Sequence, residues 1–154
     1  VPALVVNNGP DKGLVLLEST IICEYLEQVG DARALLPKDG RAYWDERALD
    51  SYAHALTDSL AWRVREFRKP EADQYGPFIA YEQERALRCF AELEARADEL
   101  RSVEISVGRI LLTIAGYYQL WRFPDQDWRD GSPKLAAWYE AMVARPSFAS
   151  ILPV

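Results

Sequence analysis

The stretch over 103–120 is apolar nearly all the way round a helix: Ile105, Val107, Ile110, Leu111, Leu112, Ile114, Ala115 and Tyr118 leave it no polar face. A helix of that kind belongs in the middle of other helices, so this segment predicts a bundle with a buried central member. Its length would also suit a bilayer, but Glu104 and Arg109 argue for a protein core. No uninterrupted apolar run reaches the ~18 residues that a spanning helix needs. A membrane is not an expected partner, and the cytoplasm is the expected location.

The rest of the bundle follows from spacing. Tyr52, Leu56, Leu60, Val64 and Phe67 put one apolar stripe on a helix over 42–67. The segment 70–77, with a proline at each end, breaks the pattern. A second helix carries Ile79, Ala86, Phe90, Leu93, Ala97 and Leu100. The last is the clearest: Ser132 as cap, Pro133 at the first helical position, then Leu135, Trp138, Tyr139 and Met142 on one face. Arg145-Pro146 stops it, and Ser147 is placed to cap a final short turn. Two residues between 100 and 103 are few for a reversal between helices, which suggests that residues are missing near Arg101-Ser102.

The first thirty residues read differently. Two β-like runs, 3–6 and 14–17, flank Asn7-Asn8-Gly9-Pro10-Asp11-Lys12-Gly13, a segment dense in turn formers. This predicts an antiparallel hairpin. Both runs are apolar on both faces, so helices are expected on both sides of the sheet. A hairpin alone is marginal, so further strands are expected ahead of Val1. Then Ile21, Ile22, Tyr25, Leu26 and Val29 fall at helical spacing, with Ser19 or Thr20 as cap and Gly30 as stop. The stretch 31–41, with Pro37 and Gly40, has the composition of a linker.

Charge and cysteines exclude several functions. The net charge of −6 disfavours binding to phosphate backbones, so nucleic acid is not an expected partner. Cys23 and Cys89 form neither a disulfide framework nor a metal-ligand set, and no metal is expected. Both read as small apolar residues. His54, the single histidine, has no Ser, Cys or Asp arranged with it as a nucleophile relay and reads as a surface or interface residue.

Three segments together resemble the glutathione transferases, bacterial members most of all. They are Val1-Pro2-Ala3-Leu4 with its hairpin; Glu18-Ser19-Thr20-Ile21-Ile22-Cys23-Glu24-Tyr25-Leu26; and the closing stretch from Asp127-Trp128-Arg129 through Ala136-Ala137-Trp138-Tyr139 to Arg145-Pro146-Ser147-Phe148. Their order and spacing cover nearly the whole chain. The resemblance implies an α+β fold, mostly α: part of a thioredoxin-like glutathione-binding domain over 1–30, a linker over 31–41, and an all-helical C-terminal domain over 42–154. It implies a homodimeric, detoxifying transferase with glutathione as co-substrate, in which the glutathione thiolate attacks a small hydrophobic electrophile.

The resemblance also assigns residues. Pro2 would be cis, turning the backbone of Val1 outward to pair with the cysteinyl backbone of glutathione; on sequence alone, an ordinary trans proline at a strand start is the simpler reading. The Ser19 hydroxyl and amide would hold the γ-glutamyl carboxylate, and Glu18 would meet its ammonium. The plain alternative is a capping serine beside a solvated glutamate. Asp58 would reach the glutathione amine of the partner subunit, against the alternative of a solvated or ion-paired acid. Tyr52, Thr57, Trp62 and Tyr118 would line the electrophile pocket, although core packing is the commoner fate of such aromatics. Arg63 and Arg65 could pair with nearby acids.

Two departures bear on function. The family's catalytic Ser, Tyr or Cys precedes the cis-proline, so it is expected upstream of this chain. Relatives also open the third bundle helix with Ser or Thr three residues before an acid. Here Glu104 matches the acid, but Arg101 stands three before it and Ser102 is off by one. The rival readings are a glutathione-dependent reductase, dehalogenase or isomerase on the same fold, and a non-catalytic protein-binding member of it.

Overall fold

The computed structural model describes residues 2–31, 33–100 and 104–151. Strand β1 (Ala3–Val5) and strand β2 (Val15–Leu17) come first, followed by helix α1 (Ser19–Val29). Then come α2 (Gly40–Phe67), α3 (Gly76–Ala95), α4 (Val107–Arg122), α5 (Pro133–Val143) and the short α6 (Pro146–Ala149). Turns of 3₁₀ helix occupy Glu71–Asp73, Ala97–Leu100 and Trp128–Gly131. The fold is thus mostly helical with one small sheet. The chain divides into two compact units, Val1–Glu46 and Arg47–Val154, with the division falling inside α2.

In the first unit β1 and β2 pair antiparallel, Ala3 with Leu17, Leu4 with Leu16 and Val5 with Val15. Backbone bonds from Val6 to Leu14 and from Gly13 to Val6 extend the ladder to the loop, where Gly9 and Gly13 both adopt positive φ. Helix α1 packs on the hairpin. The Tyr25 hydroxyl donates to Asp11 Oδ2 at 3.1 Å and ties the helix to the loop. Leu4 and Leu16 are half-buried, whereas Val5, Val15 and Leu17 are 51%, 55% and 61% exposed. The expectation of cover on both faces is therefore not met among the described residues of this unit: one set of alternating side chains is sheltered and the other lies open.

The second unit holds the core. Leu56, Leu60 and Val64 of α2 meet Ala86, Phe90 and Leu93 of α3, Leu112 and Ala115 of α4, and Leu135, Trp138 and Met142 of α5. Helix α4 passes Gly116 under two rings. A Cβ there would lie 3.2 Å from both Trp128 and Tyr139, so glycine permits the close approach. Trp128 stacks on Phe90 at 4.8 Å, meets Tyr139 edge-on, and donates its indole N–H to the Gly116 carbonyl at 3.1 Å. Its neighbours hold the turn: Arg129 bonds both oxygens of Asp127 and reaches Glu140 of α5 at 2.8 Å. Those hydrogen bonds hold the Asp127 carboxyl below the usual range.

Four local expectations are corrected. Helix α1 is capped by Glu18, whose carboxylate accepts from the Ser19 amide, and not by Ser19 or Thr20. Helix α4 starts at Val107 rather than Val103, because Ser106 is its cap and accepts from the Arg109 amide at 3.3 Å. The expected register of Arg101 and Glu104 is thus wrong, and the third residue after the true cap is Arg109, not an acid. The expected loss of residues near Arg101-Ser102 falls on 101–103, outside the described residues; the helix start on which it rested has moved. Finally, Ser132 occupies the cap position of α5 without a side-chain bond. Glu94 of α3 caps α5 instead, accepting from the amides of Lys134 at 3.2 Å and Leu135 at 2.8 Å. Ser147 lies inside α6, whose cap position is Arg145.

Candidate functional site at the tip of the first helix

The first turn of an α-helix leaves its amides without intrahelical partners, and aligned peptide dipoles add partial positive charge there. At α1 the chain reaches that turn through Glu18, with φ 84° and ψ 125°. Glu18 is the one non-glycine residue with positive φ among those described. Side chains with a Cβ resist this conformation, at a cost on the order of 1–3 kcal/mol. It aims the carboxylate back across the helix end. Glu18 Oε1 accepts from the Ser19 amide at 2.8 Å and from the Ser19 hydroxyl at 3.2 Å. Its carbonyl accepts from Ile22 at 3.0 Å and opens the helical ladder. Glu18 is exposed, Ser19 half-buried and Thr20 buried. The two donors of Ser19 therefore already hold one carboxylate oxygen.

Pro2 is exposed at the start of β1. The bond expected to be cis joins it to Val1, which lies outside the described residues.

The remaining candidates belong to the helical unit. Asp58 lies on the exposed side of α2. Thr57 turns its hydroxyl back onto the Ala53 carbonyl at 2.7 Å. Tyr52 is half-buried, packed against the core, with the Arg96 guanidinium 5.4 Å from its ring. Trp62 is 46% exposed, edge-on to Phe78, and carries Arg65 over its face at 4.8 Å. Tyr118 packs against the core and meets Trp121 edge-on at 6.1 Å. Tyr52, Thr57 and Trp62 follow one another at five-residue steps, each turned by about 140°, so they face three directions around α2. His54 is half-buried, with Nε2 3.6 Å from Asp50 Oδ1. Cys23 is exposed, while burial pushes the half-buried Cys89 thiol up. Among the described residues no three His, Cys, Asp or Glu gather as a metal site, and no helix is long and apolar enough to cross a membrane.

The expectation that Arg63 pairs with a nearby acid is not met among the described residues. Arg63 is buried on α2, and its partners are neutral: Gln126 Oε1 at 2.6 Å, Gln119 Oε1 at 3.4 Å, and the Phe123 ring at 3.8 Å. Burial lowers its pKa from the ordinary guanidinium value, yet a guanidinium keeps its charge in a protein. Close by, Val64, Phe67, Arg68, Arg122 and Phe123 line a cavity of about 370 Å³. The stripe pattern had marked Val64 and Phe67 as core. Phe67 is 47% exposed, its ring 6.0 Å from that of Phe123. No signal in the sequence sets Arg63 apart from its neighbours.

No protein-family model matches the sequence. A glutathione transferase family member from Pseudomonas fluorescens Pf-5, solved with bound S-(propanoic acid)-glutathione, is 31% identical and superposes with a TM-score of 0.89. The alignment covers all of this chain and 77% of that one. A glutathione S-transferase from Methylobacillus flagellatus KT, with GSH bound, is 28% identical at a TM-score of 0.86, over 100% and 76% of the two chains. An uncharacterized GST-like protein of Escherichia coli K12, YibF, is 28% identical over 99% of this chain and 75% of its own length.

Proposed function

Because the chain belongs to the glutathione transferase family, we propose that it binds glutathione at the tip of α1 and conjugates its thiolate to a small electrophile. The observation that carries this reading is the grip of Ser19 on the Glu18 carboxylate at the head of α1. That pair of donors is already satisfied by a carboxylate, at a helix end where dipole and free amides favour negative charge. The α-carboxylate of the γ-glutamyl group takes the same two bonds when glutathione binds. The displaced Glu18 carboxylate then turns to the ammonium of the same group, an opposite charge. One carboxylate exchanges for another at little cost in desolvation. The relatives solved with glutathione or its S-propanoic acid conjugate support this ligand.

The backbone at Val1 and Pro2 pairs with the cysteinyl segment, and Asp58 approaches the glutathione amine of the second subunit of a homodimer. The work of these residues is orientation. A thiolate held near its target gains much of the rate that a bimolecular encounter lacks. In the reaction the sulfur–carbon bond forms, the electrophile's leaving group departs with its bonding pair, and the thiol proton passes to solvent. Thiol activation is assigned to no residue of 1–154.

Retention on immobilised glutathione, followed by conjugation of a chromogenic aryl halide, tests the reading. Both are expected. A folded protein that does neither would favour the protein-binding alternative, and one that binds glutathione and reduces disulfides without conjugation would favour the reductase.

A further inference from the structure

We infer that the cavity between Phe67, Arg68, Arg122 and Phe123 seats the second substrate, and that it selects electrophiles carrying a carboxylate on an apolar, benzoate-sized body. The inference rests on the conjugation reading for its chemistry and on the cavity alone for its selectivity.

In an acidic chain an arginine finds a carboxylate easily. Arg41, Arg47, Arg85, Arg88, Arg96 and Arg129 each hold one. The two cavity arginines do not: among the described residues neither Arg68 nor Arg122 bonds an acid.

Arg122 is also pre-set. Its guanidinium carbon sits over the Trp121 ring at 3.7 Å, a contact that restricts the fork before anything binds. Arg68 follows the last residue of α2, and Arg122 is the last of α4. Helix C-termini explain how both tolerate the absence of an acid, yet half a dipole charge leaves most of their donors unused. Arg63, outside the lining, sits over the ring of Phe123 at 3.8 Å and is bonded only to amide oxygens. Glu66, the nearest acid on α2, is spent on Lys69 and the Tyr75 amide. Two guanidinium groups, those of Arg68 and Arg122, thus line the cavity with two phenyl rings and a valine, and no acid lines it. The volume, about 370 Å³, is within the range of small-ligand pockets.

The test uses the full-length protein with 4-chloro-3-nitrobenzoate and its methyl ester. In both, sulfur replaces chlorine at the same ring carbon and chloride leaves. Each kcat/KM is divided by the uncatalysed rate, and the acid-to-ester ratio is the readout. Arg68→Gln with Arg122→Gln is expected to lower the ratio by about tenfold or more, chiefly through KM of the acid. The corresponding pair of Lys substitutions, which keeps the charge but loses the fork, falls between. Arg88→Gln, which removes one such charge on α3, leaves the ratio unchanged. A ratio unmoved by the double Gln variant would overturn the inference while conjugation stands.

Calorimetric titration with the acid alone separates the two readings. Loss of binding in the double variant supports the cavity assignment even if neither compound is conjugated, in which case conjugation is what fails. Equal binding by both proteins overturns the assignment whatever the activity.

Discussion

In the helical unit, Leu56, Leu60, Ala53 and Met142 are completely shielded; in the hairpin unit, Val15, Leu17 and Val29 are more than half exposed. The two regions use their apolar residues differently. The bundle closes on itself, because α2, α3, α4 and α5 each offer a face to the others. The hairpin offers two faces to one helix. Its best-defined feature is polar: a strained Glu18 folded over the first turn of α1. Packing decides the shape of the one region, and backbone chemistry decides the useful part of the other.

Truncation in the two regions sharpens this contrast most. Leu60→Ala should destabilise by about 2–5 kcal/mol, since it opens a cavity in a shielded core. Val15→Ala, at an exposed position, should stay within about 0.5 kcal/mol. Urea unfolding measures both, and similar losses would erase the distinction.

Next in size is the cap of α5. Glu94→Ala should cost about 1–2 kcal/mol, because two amides lose their acceptor. Ser132→Ala should cost less, because its hydroxyl makes no cap bond. The reverse order would restore the cap that the sequence suggested.

At Glu18 the comparison is between two replacements. Glu18→Gly should be more stable than Glu18→Ala by about 1 kcal/mol, since only glycine adopts φ 84° without strain. Equal stabilities would mean that the conformation is not under strain.

The smallest effect is acid sensitivity in the bundle. Hydrogen bonds from Lys69 and the Tyr75 amide hold the Glu66 carboxyl below its ordinary 4.5. A carboxyl lowered by folding adds stability that is complete above the unfolded value and is lost as pH falls through the folded one. Glu66→Gln should therefore flatten the decline in stability below about pH 4.5. An unchanged acid limb would show that the pair contributes nothing.

Much of the fold was legible because it is periodic. The α2 stripe through Leu56, Leu60 and Val64 is buried as its spacing requires, and α5 keeps its predicted face. The boundaries were not legible where the partner is distant in sequence. Glu94 caps α5 from 40 residues away, so a local rule credited Ser132. Ser106 was passed over because Val103 and Ile105 extend the apolar pattern beyond the helix. The partners of the buried Arg63 and Ser59 were not legible either, since they lie on α3, on α4 and in the turn after it, far from the neighbours that local spacing offers. The site was legible only in part. Glu18-Ser19 stood out by resemblance, but the positive φ that joins them is a backbone fact that no residue type announces.

The central claim is that Ser19 grips the carboxylate at the glutamyl end of glutathione. Calorimetry of wild type and Ser19→Ala, each with glutathione and with its analogue lacking that α-carboxylate, tests it directly. The account predicts that Ser19→Ala weakens glutathione by ~1–3 kcal/mol and leaves affinity for the analogue unaltered. Equal losses with both ligands, or none with either, would contradict it.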